Sequence, residues 1–422
     1  MIVRRFLIDI SLLRRNPAFR NLLVARSISL MSLGMLAVSV PVQVYGLTGS
    51  SFQVGVVAAL DGIGMFVGLL LGGVLSDRYD RRRLILFARG VCGIGFVGLA
   101  LNSLMDAPSL FAIYVLAMWD GFFGALGVSA LMAAMPFIVG RENLMQAGAL
   151  GMLVTRFATI VSPAVGGMVI AAGGLGWNYG LAAVGTLVTV LTLLSLPAMV
   201  PERHAIRHPL TMMAEAFGFL FRHRRLLLVF AIGTLLTLST SIRILFPAIV
   251  TQTLGGGALE IGLMYSAVPL GATLGAVLSG WVRELRQREL VMSGLCAGAL
   301  ACVILLGASG HIVVALAALV IYGYTNAIAS LLQYTIIQDH TPDHFLGRIN
   351  SLWAAQDVAG DSLGAVGVGV LVAALPKTGV IVLGTFALAV GGLLTLAING
   401  LPREGSTGEE LAGAGQPAAG EG

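Results

Sequence analysis

Charge is scarce in this sequence. Of 422 residues only 11% are Asp, Glu, Lys or Arg, while 57% are hydrophobic. A water-soluble domain of ordinary composition carries about a quarter charged residues. That class is excluded, and the chain reads as an all-α protein that crosses a membrane many times. Cysteine is also rare. Cys92, Cys296 and Cys302 each fall inside an apolar run, so neither a disulfide framework nor a metal site is expected. There is no Gly-x4-Gly-Lys-Ser/Thr loop, so ATP is not expected to drive it directly, and no cofactor is expected. A cleavable signal peptide is not expected either. Met1 to Arg20 is basic but lacks a short apolar core followed by small residues at a cleavage site. Phe6 to Leu13 reads instead as an amphipathic segment on the membrane surface. The net charge of +5 sits in loops and is no argument for nucleic acid.

What is present in quantity is hydrocarbon and glycine, broken by one charged stretch. Gly72 to Arg83 reads Gly-Gly-Val-Leu-Ser-Asp-Arg-Tyr-Asp-Arg-Arg-Arg, and apolar runs long enough to cross a bilayer lie on each side. Twelve spans are expected, near 21–45, 54–76, 84–104, 110–138, 144–172, 179–199, 226–249, 261–282, 290–308, 312–338, 349–373 and 380–400. Arginines crowd the loops on one side, and the other side carries only Lys377. The positive-inside rule then places both termini in the cytoplasm. The expected organisation is an N-terminal segment (1–20), a six-helix half (21–200), a cytoplasmic loop (201–225), a second half (226–401) and a disordered tail (402–422). Within the loop, Thr211 to Phe221 reads as a short amphipathic helix. An internal repeat supports the division. Gly140-Arg141-Glu142-Asn143 and Gly347-Arg348-Ile349-Asn350 lie 207 residues apart, and the same offset carries Gly73 onto Gly280 and Asp77 onto Glu284. Two six-helix halves make a transporter architecture, with a site at mid-depth between them.

The charged stretch is also specific in its spacing. Gly73, Asp77-Arg78 and Arg81-Arg82 resemble the loop signature G-x-x-x-D-R-x-G-R-R of the major facilitator superfamily, departing from it at Asp80, where glycine is usual. The resemblance implies that superfamily's twelve-helix fold. It also implies a gating role for Gly73, Asp77, Arg78, Arg81 and Arg82, with Asp77 latching onto the start of span eleven. Further segments are similar to the superfamily's bacterial exporters of catecholate siderophores. They include Asn16-Pro17-Ala18-Phe19-Arg20, Val40-Pro41-Val42-Gln43, Trp119-Asp120-Gly121-Phe122-Phe123, Trp177-Asn178-Tyr179-Gly180-Leu181, Leu331-Leu332-Gln333-Tyr334-Thr335 and Gly360-Asp361. That similarity implies a bacterial inner-membrane exporter whose partners are a small-molecule siderophore, protons and the bilayer. No motif identifies a periplasmic or outer-membrane efflux partner. In span five, Ala149, Ala158, Ser162-Pro163 and Gly166-Gly167 fit the spacing of an antiporter signature, three of whose glycines are replaced here. An ordinary small-residue packing face fits them equally well.

Ionisable residues inside spans are costly and need a reason. Arg89 lies near the charged loop, where snorkelling is the simple reading. Arg26, Arg156 and Arg243 are the candidate cations for an anionic substrate. Asp61, Asp120, Asp357 and Asp361 are the candidate proton carriers. Asp120 with Arg156 also reads as a structural ion pair. In span eleven, Trp353, Gln356, Asp357, Gly360, Asp361 and Gly364 form one polar stripe at helical spacing. Carboxylates one turn apart in low dielectric repel, which suits one of them to carry a proton. Asp361, nearer mid-depth, is expected to exchange it while Asp357 tunes it. The alternative for the stripe is helix–helix hydrogen bonding. The function expected is secondary export by proton antiport. General drug efflux within the same superfamily and, from another class, an intramembrane enzyme using the paired aspartates are the alternatives.

Overall fold

The computed structural model describes residues 11–200, 218–285, 287–375 and 379–400, without the side chains at 343–345, 347, 348, 351 and 354. The described residues are helical throughout, and twelve helices are long and apolar enough to cross a membrane. We label them α1 (Pro17–Thr48), α2 (Ser51–Ser76), α3 (Arg81–Leu104), α4 (Leu110–Val139), α5 (Leu144–Gly173), α6 (Leu175–Leu193), α7 (Arg224–Thr240, continued irregularly to Leu254), α8 (Ala258–Val277), α9 (Arg288–Ala308), α10 (Ile312–Asp339), α11 (Asp343–Ala374) and α12 (Gly379–Asn399).

Local chemistry sets the ends. Asn16 caps α1 by accepting from the Phe19 N–H at 2.9 Å, Pro17 occupies the first turn, and Gly49 closes the helix at φ +61°. Span six begins and ends earlier than the apolar run suggests. It stops at Leu193, shortly before Pro197, because a proline cannot extend the hydrogen-bond ladder. Span eight tightens into a 3-10 turn over Ser279–Glu284, a common helix ending. Gly347 lies within α11, whereas its repeat partner Gly140 ends α4 at φ +76°. Of the amphipathic segment at Phe6 to Leu13, only the residues from Ser11 onward are described, as the start of a short helix Ser11–Arg15. In the central loop 218–222 is helical, and the rest of the Thr211 to Phe221 segment lies outside the described residues. So does the tail 402–422.

The two sets of six helices are built alike. In the first set α1 packs on α5 and α6, α2 on α4, and α3 on α4 and α6. In the second, α7 packs on α11 and α12, α8 on α10, and α9 on α10 and α12. The 207-residue offset reaches the packing itself. A Cβ at Gly64 would lie 2.3 Å from the Met118 carbonyl, and one at Gly271 would lie 1.9 Å from the Val320 carbonyl. Between the halves α2 meets α11 and α5 meets α8. Here too the offset holds. A Cβ at Gly55 would lie 2.4 Å from the Ala365 carbonyl, and one at Gly262 would lie 2.5 Å from the Pro163 carbonyl. Only glycine permits such approach.

These close contacts lie toward the face opposite the Gly72–Arg83 turn, called here the far face. Ala164 N–H donates to Ser266 Oγ at 3.0 Å, and Gln252 Nε2 donates to Tyr45 Oη at 2.5 Å, both across the halves. At the charged face, Gly73, Gly148 and Gly280 have nothing within 4 Å of a would-be Cβ. Among the described residues, the close approaches between the halves named here lie at the far face.

Candidate transport site

Helix α7 is regular to Thr240, passes through a 3-10 segment (Ser241–Leu245), and ends in a π turn (Val250–Leu254). Pro247 accounts for part of the break. It has no N–H to offer the Arg243 carbonyl one turn back. That carbonyl instead accepts the Tyr265 hydroxyl of α8 at 3.0 Å. The irregular turn presents Arg243 to Asp361 of α11, and the two form an ion pair. Thr240 Oγ1 donates to Asp361 Oδ1 at 3.1 Å, and Ser241 Oγ donates to the Asp361 backbone carbonyl at 2.9 Å. Although deep in the protein, the Arg243 side chain is 48% exposed, because it borders a cavity.

That cavity has a volume of about 550 Å³, within the range of small-molecule sites. Most of its wall is apolar and comes from α1, α2 and α4, with Asp61 and Asp120 the acidic groups on that side. The second half contributes Arg243, Ile244 and Tyr265. Asp61 lies within electrostatic range of Asp120, Arg243 and Asp361, so one charge cluster bridges both halves. Gly62, next to Asp61, abuts Ser362, next to Asp361; a Cβ there would lie 1.8 Å from Ser362 Oγ. Among the described residues, Asp120 Oδ1 is buried without a hydrogen-bond partner.

The structure thus brings Asp61, Asp120, Arg243 and Asp361 together. Asp357 is exposed, one turn from Asp361 and within range of its charge. The stripe around it faces α7, where Gln356 Nε2 donates to the Phe230 carbonyl and Thr234 Oγ1, both at 3.1 Å. Arg156 is set apart. It is exposed, lies off the buried stripe of α5, forms no ion pair with Asp120 and lines neither this cavity nor the smaller one described below. Arg26 donates to Thr155 Oγ1 at 3.2 Å, away from the cluster. Arg89 does not snorkel. It is 8% exposed, folded inward under α4.

The charged turn is held within its own half. Arg81 is buried, with Nε donating to the Ser76 carbonyl at 3.3 Å and its guanidinium 4.4 Å from the Phe137 ring centroid. Arg82 donates to the Leu194 carbonyl. Gly73, Asp77 and Arg78 are exposed. Of the start of span eleven, onto which Asp77 was expected to latch, the side chains at 343–345, 347, 348 and 351 lie outside those described. Sequence reasoning missed Asp80. It accepts from the N–H groups of Arg82 at 3.0 Å and Met199 at 2.9 Å, capping α3 and pinning the segment after α6. Its signal was its position just before a helical run. The Val40–Gln43 and Trp177–Leu181 segments also serve packing: Tyr179 Oη donates to Gln43 Oε1 at 2.8 Å, and Asn178 Nδ2 to the Gly166 carbonyl at 2.7 Å.

A charged cavity at mid-depth between two alike six-helix halves is the build of a membrane transporter. The chain belongs to the Major Facilitator Superfamily, whose description it matches over residues 22–365. It is 47% identical over 395 residues to the enterobactin exporter EntS of Citrobacter koseri, covering 94% of this chain and 95% of that protein. It is also 47% identical to the protein of that name from Shigella boydii serotype 18, covering 93% and 94%. Among solved structures, the nucleoside transporter NupG superposes with a TM-score of 0.74 at 14% identity, covering 91% of this chain and all of that one. A POT family transporter gives 0.71 at 14% identity, covering 91% and 95%. The last two establish the fold alone. The protein is a multi-pass membrane transporter and not an enzyme.

Proposed function

We propose that this protein exports a catecholate siderophore, enterobactin or a relative, from the cytoplasm to the periplasm across a bacterial inner membrane, driven by inward movement of protons. The observation that carries the reading is the Arg243–Asp361 pair at the wall of the central cavity, in a chain that aligns nearly end to end with enterobactin exporters. The arginine-rich face is the cytoplasmic one on the positive-inside rule. An iron-free catecholate is aromatic and partly anionic, which suits apolar walls and one guanidinium. While Asp361 is ionised it holds Arg243. A proton on Asp361 weakens that pair and frees the cation for the anion. Asp357 modulates that exchange, and Asp61 and Asp120 are further proton acceptors from the opposite half. A membrane potential of 100 mV supplies about 2.3 kcal/mol per charge moved, so inward proton flow is a sufficient source for uphill export.

The largely apolar cavity wall with two acidic groups also fits a second reading, efflux of lipophilic cations. The test separates the two. In cells lacking the gene, catecholate siderophore should build up inside and fall in the medium, and restoring the gene should reverse both. Unchanged siderophore distribution, with altered tolerance to cationic drugs, would replace this reading by the second.

A further inference from the structure

A smaller cavity of about 180 Å³ lies within the first half, framed by α1, α3, α4 and α6. It sits toward the charged face, since Arg26 is near the start of α1 and Arg89 near the start of α3. Val128 of α4 lines both this pocket and the central cavity, so the two adjoin. Ile85, Leu131 and Leu193 give it apolar walls.

Two guanidinium groups line this apolar space. Among the described residues Arg26 has one hydrogen bond, to the neutral Thr155 hydroxyl. Arg89 is 8% exposed and makes no hydrogen bond or ion pair among the described residues. The two lie within electrostatic range of one another, and among the described residues no carboxylate lines the pocket with them. Asp120 lies within electrostatic range of Arg89 but forms no ion pair with it and lines the central cavity. Glycines border both cations. A Cβ at Gly127 would lie 3.4 Å from Arg89 Nε, and one at Gly151 would lie 3.6 Å from an Arg26 Nη. Buried arginines are ordinarily paired, because an uncompensated charge in low dielectric is costly. An arriving anion would relieve both the burial and the mutual repulsion, with directional charge-assisted bonds. Size narrows the class further. An apolar cavity of about 150 Å³ holds benzene, so 180 Å³ takes a single six-membered ring with small substituents. Guanidinium planes also stack on aromatic faces.

We propose that this pocket is a second subsite that seats one anionic aromatic ring, a catecholate or hydroxybenzoate group, beside the central cavity. Assigning that ring to the transported molecule rests on the export reading above; the pocket's affinity for an anionic ring does not. On that reading, one ring of a multi-ring siderophore engages Arg26 and Arg89 while the remainder reaches the central cavity and Arg243.

The test is calorimetry on the full-length protein in lipid nanodiscs, with 2,3-dihydroxybenzoate as the probe and uncharged catechol as the comparison. Wild type should bind the anionic ring more tightly than the neutral one. Arg26→Gln and Arg89→Gln should each weaken the anionic probe at least tenfold and leave neutral catechol within about twofold. Leu131→Trp, which fills the pocket without altering charge, should remove binding of both and covers the case in which an arginine variant does not fold. The proposal is overturned if wild type does not bind the probe, if both glutamine variants bind it as wild type does, or if they lose both compounds equally. Siderophore export in vesicles, measured beside it, separates the two claims. Arginine-dependent binding without export would sink the export reading and keep the pocket. Normal export with arginine-independent binding would sink the pocket alone.

Discussion

Asp361 has more partners than any other acidic side chain at the cavity: Arg243, the Thr240 hydroxyl and, through its backbone, Ser241. Removing one member of a fully buried ion pair costs about 3–5 kcal/mol. Here the loss is smaller, because the Arg243 side chain is 48% and that of Asp361 29% exposed. Asp361→Asn should therefore still fold. The amide mimics the protonated acid, so Arg243 is held permanently loose. Uphill export in membrane vesicles under an imposed pH gradient should be lost, with downhill exchange of substrate retained. If the variant still concentrates substrate in response to the gradient, the coupling proton is carried elsewhere, and Asp61 or Asp120, on the opposite wall, is the next candidate.

Two elements show how backbone chemistry makes the machine. The turn between α2 and α3 departs from its family pattern at Asp80, and the departure has a use. One carboxylate oxygen satisfies an N–H at the start of α3 and another in the segment after α6. Loss of a helix cap costs about 1 kcal/mol, and the Met199 N–H would lose its acceptor as well. Asp80→Ala should lower the melting temperature of the purified protein, whereas Asp80→Asn, which keeps an acceptor oxygen, should recover most of the loss. The glycine seams are the second case. Alanine is a better helix former than glycine by about 1 kcal/mol, so harm from a Gly→Ala change must come from collision. At Gly55 and Gly262 the new Cβ would meet a backbone carbonyl of the opposite half at 2.4 and 2.5 Å, and backbone cannot swing aside. Gly55→Ala and Gly262→Ala should each push the far-face ends apart and raise the labelling of cysteines introduced on that side of the cavity several-fold. Gly90→Ala, with nothing within 4 Å, should not.

Across the molecule, the two halves touch chiefly through two pairs of helices related by the same exchange, α2 with α11 and α5 with α8. Such an arrangement lets one half rock on the other about the central cluster, closing one face as the other opens. The expected latch at Asp77 belongs to the state in which the charged face is shut. In the structure Asp77 is exposed. Asp77→Asn should thus leave folding and the amount of protein in the membrane unchanged, yet reduce transport sharply, because only the closed state loses a contact. Normal transport by that variant would remove Asp77 from the gate.

The spans, their number and the doubling were legible in the chain because they depend on period and composition. A bilayer demands about twenty apolar residues per crossing, and a duplicated gene keeps its offset, so Gly55 and Gly262 occupy matching places in the seams. Charges within spans were legible as exceptions, since hydrocarbon makes each one costly. Their partners were not. Arg243 and Asp361 are 118 residues apart, and only the break in α7 at Pro247 and the packing of α11 against it join them. Asp61 and Asp120 join that cluster because Gly62 lets α2 approach α11 and Gly121 lets α4 approach α2. Arg89 looked like a snorkelling side chain from its distance to the loop, but the direction a side chain takes from a helix depends on which neighbour leaves room, and Gly127 leaves it inward. Hydropathy acts on each segment alone and is therefore written along the sequence, whereas charge pairing acts between segments and is decided only when the helices have packed.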